Sequence, residues 1–288
     1  MRYVEEKNLA FIHVPKNAGQ SIANALARSA PLSYALMAAD LGVTEAAMEA
    51  SMEIAVDVPG LGVVQPDHLP LVFIRERFPR TWSALTAANS FILTRAPRDR
   101  FLSALMQRLR EHGGTVAIRV DDLQVAEEAQ RVCDWLDGRG AFFEREFIHF
   151  TRQIDYAEVS GARIVTAIFP VDGADAVAAW IQRETGLALD VTHDHRRREP
   201  RAWARAIQPA ARFVGRRLIP RTVKKAIYPL WMNSGAFADA AKRYDAVHLG
   251  DDVERFITDH YAADAALHAE AQAFAARIRR PAEPAVSA

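Results

Sequence analysis

The sequence predicts an α/β protein with a central parallel sheet and helices on both faces. Three short apolar runs, at 9–14, 91–94 and 162–169, read as buried strands. Each is followed by turn residues and then by a stretch whose apolar positions recur at helical spacing. Strand and helix alternating along one chain is the pattern of parallel strands joined by helical crossovers.

The first run, Leu9-Ala10-Phe11-Ile12-His13-Val14, ends at Pro15, and a helix is expected from Ser21 with Ile22, Ala23, Ala25 and Leu26 on its apolar side. The second, Phe91-Ile92-Leu93-Thr94, leads to a helix that Pro97 opens, because proline suits a first helical turn. His112-Gly113-Gly114 stops that helix. Further helices are expected over 121–137, 141–152 and 173–186, with a long closing helix over 251–279. Residues 31–66 mix alanine-rich stretches with Pro-Gly and Gly breaks and give no clear element. The expected organisation is one domain over 1–280, carrying a basic helical insertion at 190–245, and a disordered tail at 281–288.

Composition narrows the class without naming a partner. The 288 residues suffice for one large domain, and 36 Lys and Arg balance 36 Asp and Glu. One cysteine, Cys133, excludes an internal disulfide framework and reads as a small buried hydrophobe in a reducing compartment. The first residues carry two acids and only a short apolar stretch, unlike a signal peptide. No run approaches the ~18 to 20 apolar residues that cross a bilayer. A cytoplasmic protein is expected.

The segment Lys16-Asn17-Ala18-Gly19-Gln20-Ser21 lies between the first strand and its helix. A strand feeding a helix through a tight loop aims backbone N–H groups and the helix dipole at one point, which makes an anion site. Gly19 lets an anion approach the backbone, Lys16 supplies a full charge and Ser21 a hydroxyl. An ordinary βα turn with a surface lysine is the plain alternative. A nucleotide kinase would need G-x-x-x-x-G-K-[ST], and no Gly-Lys pair occurs in the chain.

About eighty residues on comes Arg95-Ala96-Pro97-Arg98-Asp99-Arg100-Phe101-Leu102-Ser103. At 100° per residue Phe101, Leu102, Leu105, Met106 and Leu109 share one face of the helix, and Arg100, Ser103 and Gln107 the other. That second face is expected to be open to a ligand. Arg95 ends a strand, where α/β sites collect, and with Ser103 would bind a second phosphate.

These two segments resemble the sulfotransferases that use 3′-phosphoadenylyl sulfate (PAPS), and more closely their carbohydrate branch, whose members open with Pro-Lys-x-Ala-Gly-x-Ser. The resemblance runs over about 8–186 and resumes near 251. It implies a P-loop-type three-layer sandwich. It also implies that Lys16 through Ser21 hold the 5′-phosphosulfate and that Arg95 and Ser103 hold the 3′-phosphate. Phe150-Thr151-Arg152-Gln153 and Tyr261-Ala262-Ala263-Asp264 resemble weaker landmarks of that family. Asn17, Gln20 and Ala96 depart from its pattern: Asn17 and Gln20 still offer donors, while Ala96 removes a carboxylate that would brace the arginine. The expected activity is sulfuryl transfer to a carbohydrate or glycolipid hydroxyl; a nucleotide kinase and a non-catalytic nucleotide-binding protein are the alternatives.

Sulfuryl transfer is an in-line displacement, so Lys16 is placed to stabilise charge on the leaving phosphate, and no metal is expected. The hydroxyl needs a base, and imidazole suits neutral pH. His68, in Asp67-His68-Leu69-Pro70, resembles a Gly-His-Leu-Pro histidine of the family near its acceptor, with Asp67 in place of the glycine. A structural histidine in a local turn is the alternative, and Glu76 and Glu144 are further candidate bases. His13 is expected to pack against the helices that cover the sheet. His193-Asp194-His195 reads as a solvated loop rather than a zinc site.

Residues 196–225 hold eleven lysines and arginines and a single acid, Glu199. Basic and apolar residues alternate through 211–231, which fits peripheral attachment to an anionic membrane at the inner face. A solvated helical face and an acidic glycan site remain open. No nucleic-acid motif accompanies the stretch, and nucleic acid is not an expected partner.

Overall fold

The computed structural model describes residues 1–52, 54–112, 123–189, 198–200, 237–239 and 247–279. The chain divides into two compact units, 1–192 with 247–288, and 193–246. In the second unit the described residues form one antiparallel strand pair, Arg198–Pro200 with Phe237–Asp239. The expected basic helical insertion, the 211–231 segment, the His193–His195 loop and the tail at 281–288 lie outside the described residues.

The first unit is an α/β fold on a mixed, mostly parallel sheet of four strands. Strands β1 (Arg2–Val4) and β2 (Leu9–Phe11) form an antiparallel hairpin. Helices α1 (Gly19–Ser29), α2 (Ala35–Leu41) and α3 (Glu45–Ser51) follow. A small hairpin, β3 (Val56–Val58) and β4 (Gly62–Val64), leads to α4 (Leu71–Arg77) and α5 (Pro79–Ala87). Next come β5 (Asn89–Thr94), α6 (Pro97–His112) and α7 (Leu123–Leu136). A second small hairpin, β6 (Glu158–Val159) and β7 (Ala162–Arg163), precedes β8 (Ala167–Pro170) and α8 (Ala174–Thr185). Helices α9 (Asp251–His260) and α10 (Ala262–Arg279) close the unit.

The sheet order is β1-β2-β5-β8, with β5 parallel to both β2 and β8. Alternation along the strands builds a core on each face. Leu9, Phe11, Phe91, Leu93 and Phe169 pack with Ile22 and Leu26 of α1 and Val177, Trp180 and Ile181 of α8. Ala10, Ile12, Ile92 and Ile168 pack with Met37, Leu71, Ile74, Leu85, Leu267 and Ala271. Each large side chain buried this way contributes ~1.5 to 3 kcal/mol, so the two cores together fix the strand order. Helix α10 supplies residues to both cores and packs along β8, shielding that edge of the sheet.

Several expectations are corrected. The sheet is mixed rather than wholly parallel, because β1 folds back on β2 through the turn Glu5–Lys7, with Asn8 left-handed at φ 45°. No α-helix forms over 141–152; Ile148–Phe150 and Gln153–Tyr156 are single 3-10 turns. The run 162–169 is two strands, and Ser160 and Gly161, both at positive φ, turn the first of them into a hairpin. The closing helix breaks at Tyr261, whose hydroxyl donates to the Phe150 carbonyl at 2.7 Å. Among the described residues no helix is long and apolar enough to cross a membrane.

Candidate functional site

The loop between β2 and α1 has an unusual backbone. Lys16 and Ala18 both take left-handed conformations, φ 70° and 54°, which costs a non-glycine residue ~1 to 2 kcal/mol each. A left-handed residue on each side of Asn17 winds the loop tightly just ahead of α1, although the Asn17 N–H is directed to the Val14 carbonyl at 3.4 Å. Helix α1 begins at Gly19 with Ala18 as its cap, so its first-turn N–H groups stand at the end of that loop. Glycine at 19 has a second cause: a Cβ there would lie 2.1 Å from Cδ2 of His13 and 2.5 Å from its Nε2. The His13 ring therefore lies directly on the loop.

Two braces hold the loop. Arg100 of α6, buried beneath it, donates through Nε to the Pro15 carbonyl at 3.1 Å. Asn17 is fully buried and donates its amide to the Leu93 carbonyl at 2.7 Å and to Oε1 of Gln153 at 2.6 Å. Gln153 then grips Arg95 at both backbone groups: Oε1 accepts from Arg95 N and Nε2 donates to Arg95 O, each at 2.8 Å. Gln153 is itself held, since Asp264 accepts from the backbone N–H groups of Gln153 and Ile154 at 2.8 and 2.9 Å. One glutamine thus ties the first loop to the second strand end.

A cavity of about 400 Å³ opens beside the loop, lined by Lys16, Gln20, His13, His68, His149 and Gln107 among others. Lys16 Nζ donates to Gln107 Oε1 at 2.5 Å, and Gln107 Nε2 donates to Glu111 at 2.7 Å. The three imidazoles form a row: His13 and His68 have ring centroids 5.1 Å apart, His68 and His149 5.6 Å. Nδ1 of His13 lies 2.7 Å from Asp67 Oδ2, and Arg2 donates to the same oxygen at 3.0 Å. Nδ1 of His68 is buried and has no hydrogen-bond partner.

Burial controls the charge states here. Burial would raise the Asp67 carboxyl, but His13, the Met1 ammonium and Arg2 outweigh it and hold the group well below the usual carboxylate range. Burial, followed by the charge of His13, pulls His68 well below the ordinary imidazole value. His149 falls to about 4 through burial and then through Lys16. His68 and His149 are accordingly neutral at pH 7.

The structure brings Lys16, Gln20 and His68 together in the cavity. Ala18 and Gly19 shape the loop, and Ser21 sits in the first turn of α1 with its N–H on the Ala18 carbonyl at 3.2 Å. Asn17 spends its amide on bracing instead of presenting it to a ligand. Arg95 stands at the end of β5, with its guanidinium 4.0 Å from Asp99, a carboxylate one helical turn away from where Ala96 lacks one. The α6 face expected to be open is packed: Arg100 and Ser103 are 2% and 3% exposed, and the 15–16 loop lies on that face through Arg100 and Gln107. Glu76 and Glu144 are exposed and do not line the cavity. Cys133 is buried, its thiol pushed up to about 12 by burial and Asp134, and is inert.

His13 is the main correction. Expected against the covering helices, its ring instead lines the cavity. The signal available in sequence was a histidine at the end of the apolar run with the anion loop three residues later, but the side to which it points cannot be fixed without register. His13, Asp67 and His68 also offer ligand atoms within 4.8 Å of one another, close enough to hold a metal ion. Charge opposes that use: Asp67 is already paired with His13, Arg2 and the Met1 nitrogen, and Lys16 lines the same cavity. Against known family models, curated proteins and solved structures, the chain finds no significant match.

Proposed function

We propose that this chain transfers a sulfuryl group from PAPS to a hydroxyl of a carbohydrate or glycolipid, on a P-loop-type three-layer sandwich. One observation carries the reading. A strained loop bearing Lys16 opens on a cavity lined by His13, His68 and His149, the last two neutral at pH 7, and the same loop is tied through Gln153 to the strand end that presents Arg95. In this reading residues 16–21 take the 5′-phosphosulfate. Arg95 takes the 3′-phosphate, with Ser103 the minor partner because its side chain is the more buried. Lys16 stabilises the charge that grows on the leaving phosphate. An imidazole across the cavity removes the proton from the hydroxyl. His13, His68 and His149 line the cavity, and the family resemblance gives that role to His68.

Calorimetry tests the donor half. Adenosine 3′,5′-bisphosphate (PAP), the donor product, is expected to bind tightly without divalent metal and ATP weakly; equal affinities, or a strict magnesium requirement, would favour a kinase. Turnover of PAPS then separates an enzyme from a non-catalytic binding protein. For residues 211–231 the proposal is peripheral attachment to anionic membranes. Co-sedimentation with anionic but not neutral vesicles, released by salt, is the expected result. A protein that stays in the supernatant would assign the stretch to an acidic glycan or to solvent.

A further inference from the structure

We infer that His13, held by Asp67, is the catalytic base, and that the neighbouring His68 is a wall of the cavity. The inference rests on the sulfotransferase reading and deepens it.

Three observations separate the two imidazoles. First, the Asp67 carboxylate lies 2.7 Å from Nδ1 of His13, so in the neutral ring Nδ1 is the nitrogen that carries the hydrogen and Nε2 the one with the lone pair. Arg2 fixes Asp67 from behind at 3.0 Å. Second, the Cδ2–Nε2 edge of His13 lies beside Gly19, where a Cβ would come within 2.1 and 2.5 Å of those atoms, on the first turn of α1 where the sulfuryl donor binds in this reading. Third, His68 has no comparable orienting group: its Nδ1 is buried and unpartnered, and its ring is flanked by His13 and His149. The groups facing His13 are Asp67, with Arg2 behind it, then His68 and His149, with Lys16 on the same cavity. A proton taken by His13 is balanced at once by Asp67. A proton on His68 would stand between two imidazoles with no carboxylate bonded to it.

The step balances without a further reactant. The acceptor oxygen forms a bond to sulfur as the bond between sulfur and the 5′-phosphate oxygen breaks. The hydroxyl proton passes to Nε2 of His13, the bonding pair leaves on the phosphate of PAP, and solvent later takes the proton. Asp67 is a positioning residue, since it acts on the reaction only through His13.

Conversion of PAPS to PAP is measured in each variant, with water or an added simple sugar as acceptor, alongside PAP affinity by calorimetry. His13→Gln should lower kcat ~10² to 10⁴-fold while leaving PAP affinity within about twofold. His68→Gln should lower kcat less than about tenfold. Asp67→Asn should lower kcat and move the acidic limb of the kcat/KM profile to lower pH, which a merely structural role would not do. Retained PAP binding certifies that each variant is folded. If His68→Gln loses more turnover than His13→Gln, or the Asp67→Asn limb does not move, the assignment is overturned. If the wild type neither binds PAP nor consumes PAPS, the sulfotransferase reading itself falls.

Discussion

The clamp around Gln153 and the imidazole row around His68 border the same loop but are built differently. In the clamp, every hydrogen bond of the Gln153 side chain goes to a group on the Asn17 loop or at Arg95, and Asp264 fixes the glutamine's own backbone. In the row, three rings meet edge to face with one strong bond, His13 to Asp67, and one buried nitrogen unpaired. The clamp gives geometry, because satisfied polar groups in a low dielectric are stiff. The row gives chemistry, because burial keeps His68 and His149 neutral while His13 leans on the Asp67 carboxylate. The lesson is that stiffness and pKa tuning are assigned to opposite sides of one loop.

The largest expected effect falls on the residue between them. Lys16→Met should reduce kcat ~10² to 10³-fold, the cost of removing one preorganised group that stabilises developing charge. Donor affinity should fall much less, because the charge on the leaving phosphate grows toward the transition state. A change confined to the donor KM would take Lys16 out of the chemistry and place it on the clamp side of the comparison.

Breaking the clamp should cost stability before it costs chemistry. Gln153→Ala leaves the Arg95 N–H and C=O without their partner and removes one of two acceptors from Asn17, at ~1 to 3 kcal/mol per orphaned group. Urea unfolding should show a loss of about 3 kcal/mol, with weaker PAP binding in the folded fraction. A variant as stable as the wild type would mean that Arg100 and the Asn17 bond to Leu93 suffice to hold the loop.

The imidazole row should be visible as acid sensitivity. The unfolded chain takes a proton at His149 below about 6.5, whereas the folded chain resists until about 4. Protons bound in the unfolded state exceed those in the folded state across that window, so stability falls as pH is lowered through it. One histidine contributes ~1.4 kcal/mol per pH unit there, or about 3 kcal/mol in all. His149→Gln should remove one proton's worth of slope from urea unfolding between pH 6.5 and 4. Asp67, held below the usual carboxylate range, acts only at still lower pH and leaves this window clear.

Much of the frame was legible because it is local. Apolar runs bounded by Pro15 and Pro97 mark β2, β5 and the helices after them, and the Lys16–Ser21 loop follows from that placement. What escaped depends on partners far along the chain. Strand β1 pairs with β2 and bridges Ser33 through Tyr3, and the helix breaks at Tyr261, whose hydroxyl reaches Phe150. Gln153 and Asp264 each stand in a segment that resembles a family landmark, but nothing local shows their part as a clamp: the bonds of Gln153 run to Asn17, 136 positions away, and to Arg95. The face of α6 carrying Arg100 and Ser103 was correctly separated from the apolar face by periodicity, yet periodicity cannot say that a loop, not solvent, lies on it. His13 was misplaced for the same reason.

Gly19 is where the two regions touch, and it gives the finest test of the comparison. A Cβ at this position would lie 2.1 Å from Cδ2 of His13, so Gly19→Ala forces the ring to move. The backbone of Gly19 is not in the left-handed region, so alanine is conformationally acceptable and even favourable for helix α1. Steric displacement of His13 is then the main cost, ~1 to 3 kcal/mol for an overpacked site. If the loop is rigid, the ring gives way, the 2.7 Å bond to Asp67 is lost, and PAPS turnover falls while PAP binding persists. If the ring is rigid, the loop gives way instead, and PAP binding weakens together with turnover. The clamp through Asn17 and the Pro15 bond to Arg100 predict the first outcome. Calorimetry on the alanine variant decides it: a loss of PAP affinity equal to the loss of turnover would show the loop, not the imidazole row, to be the softer side.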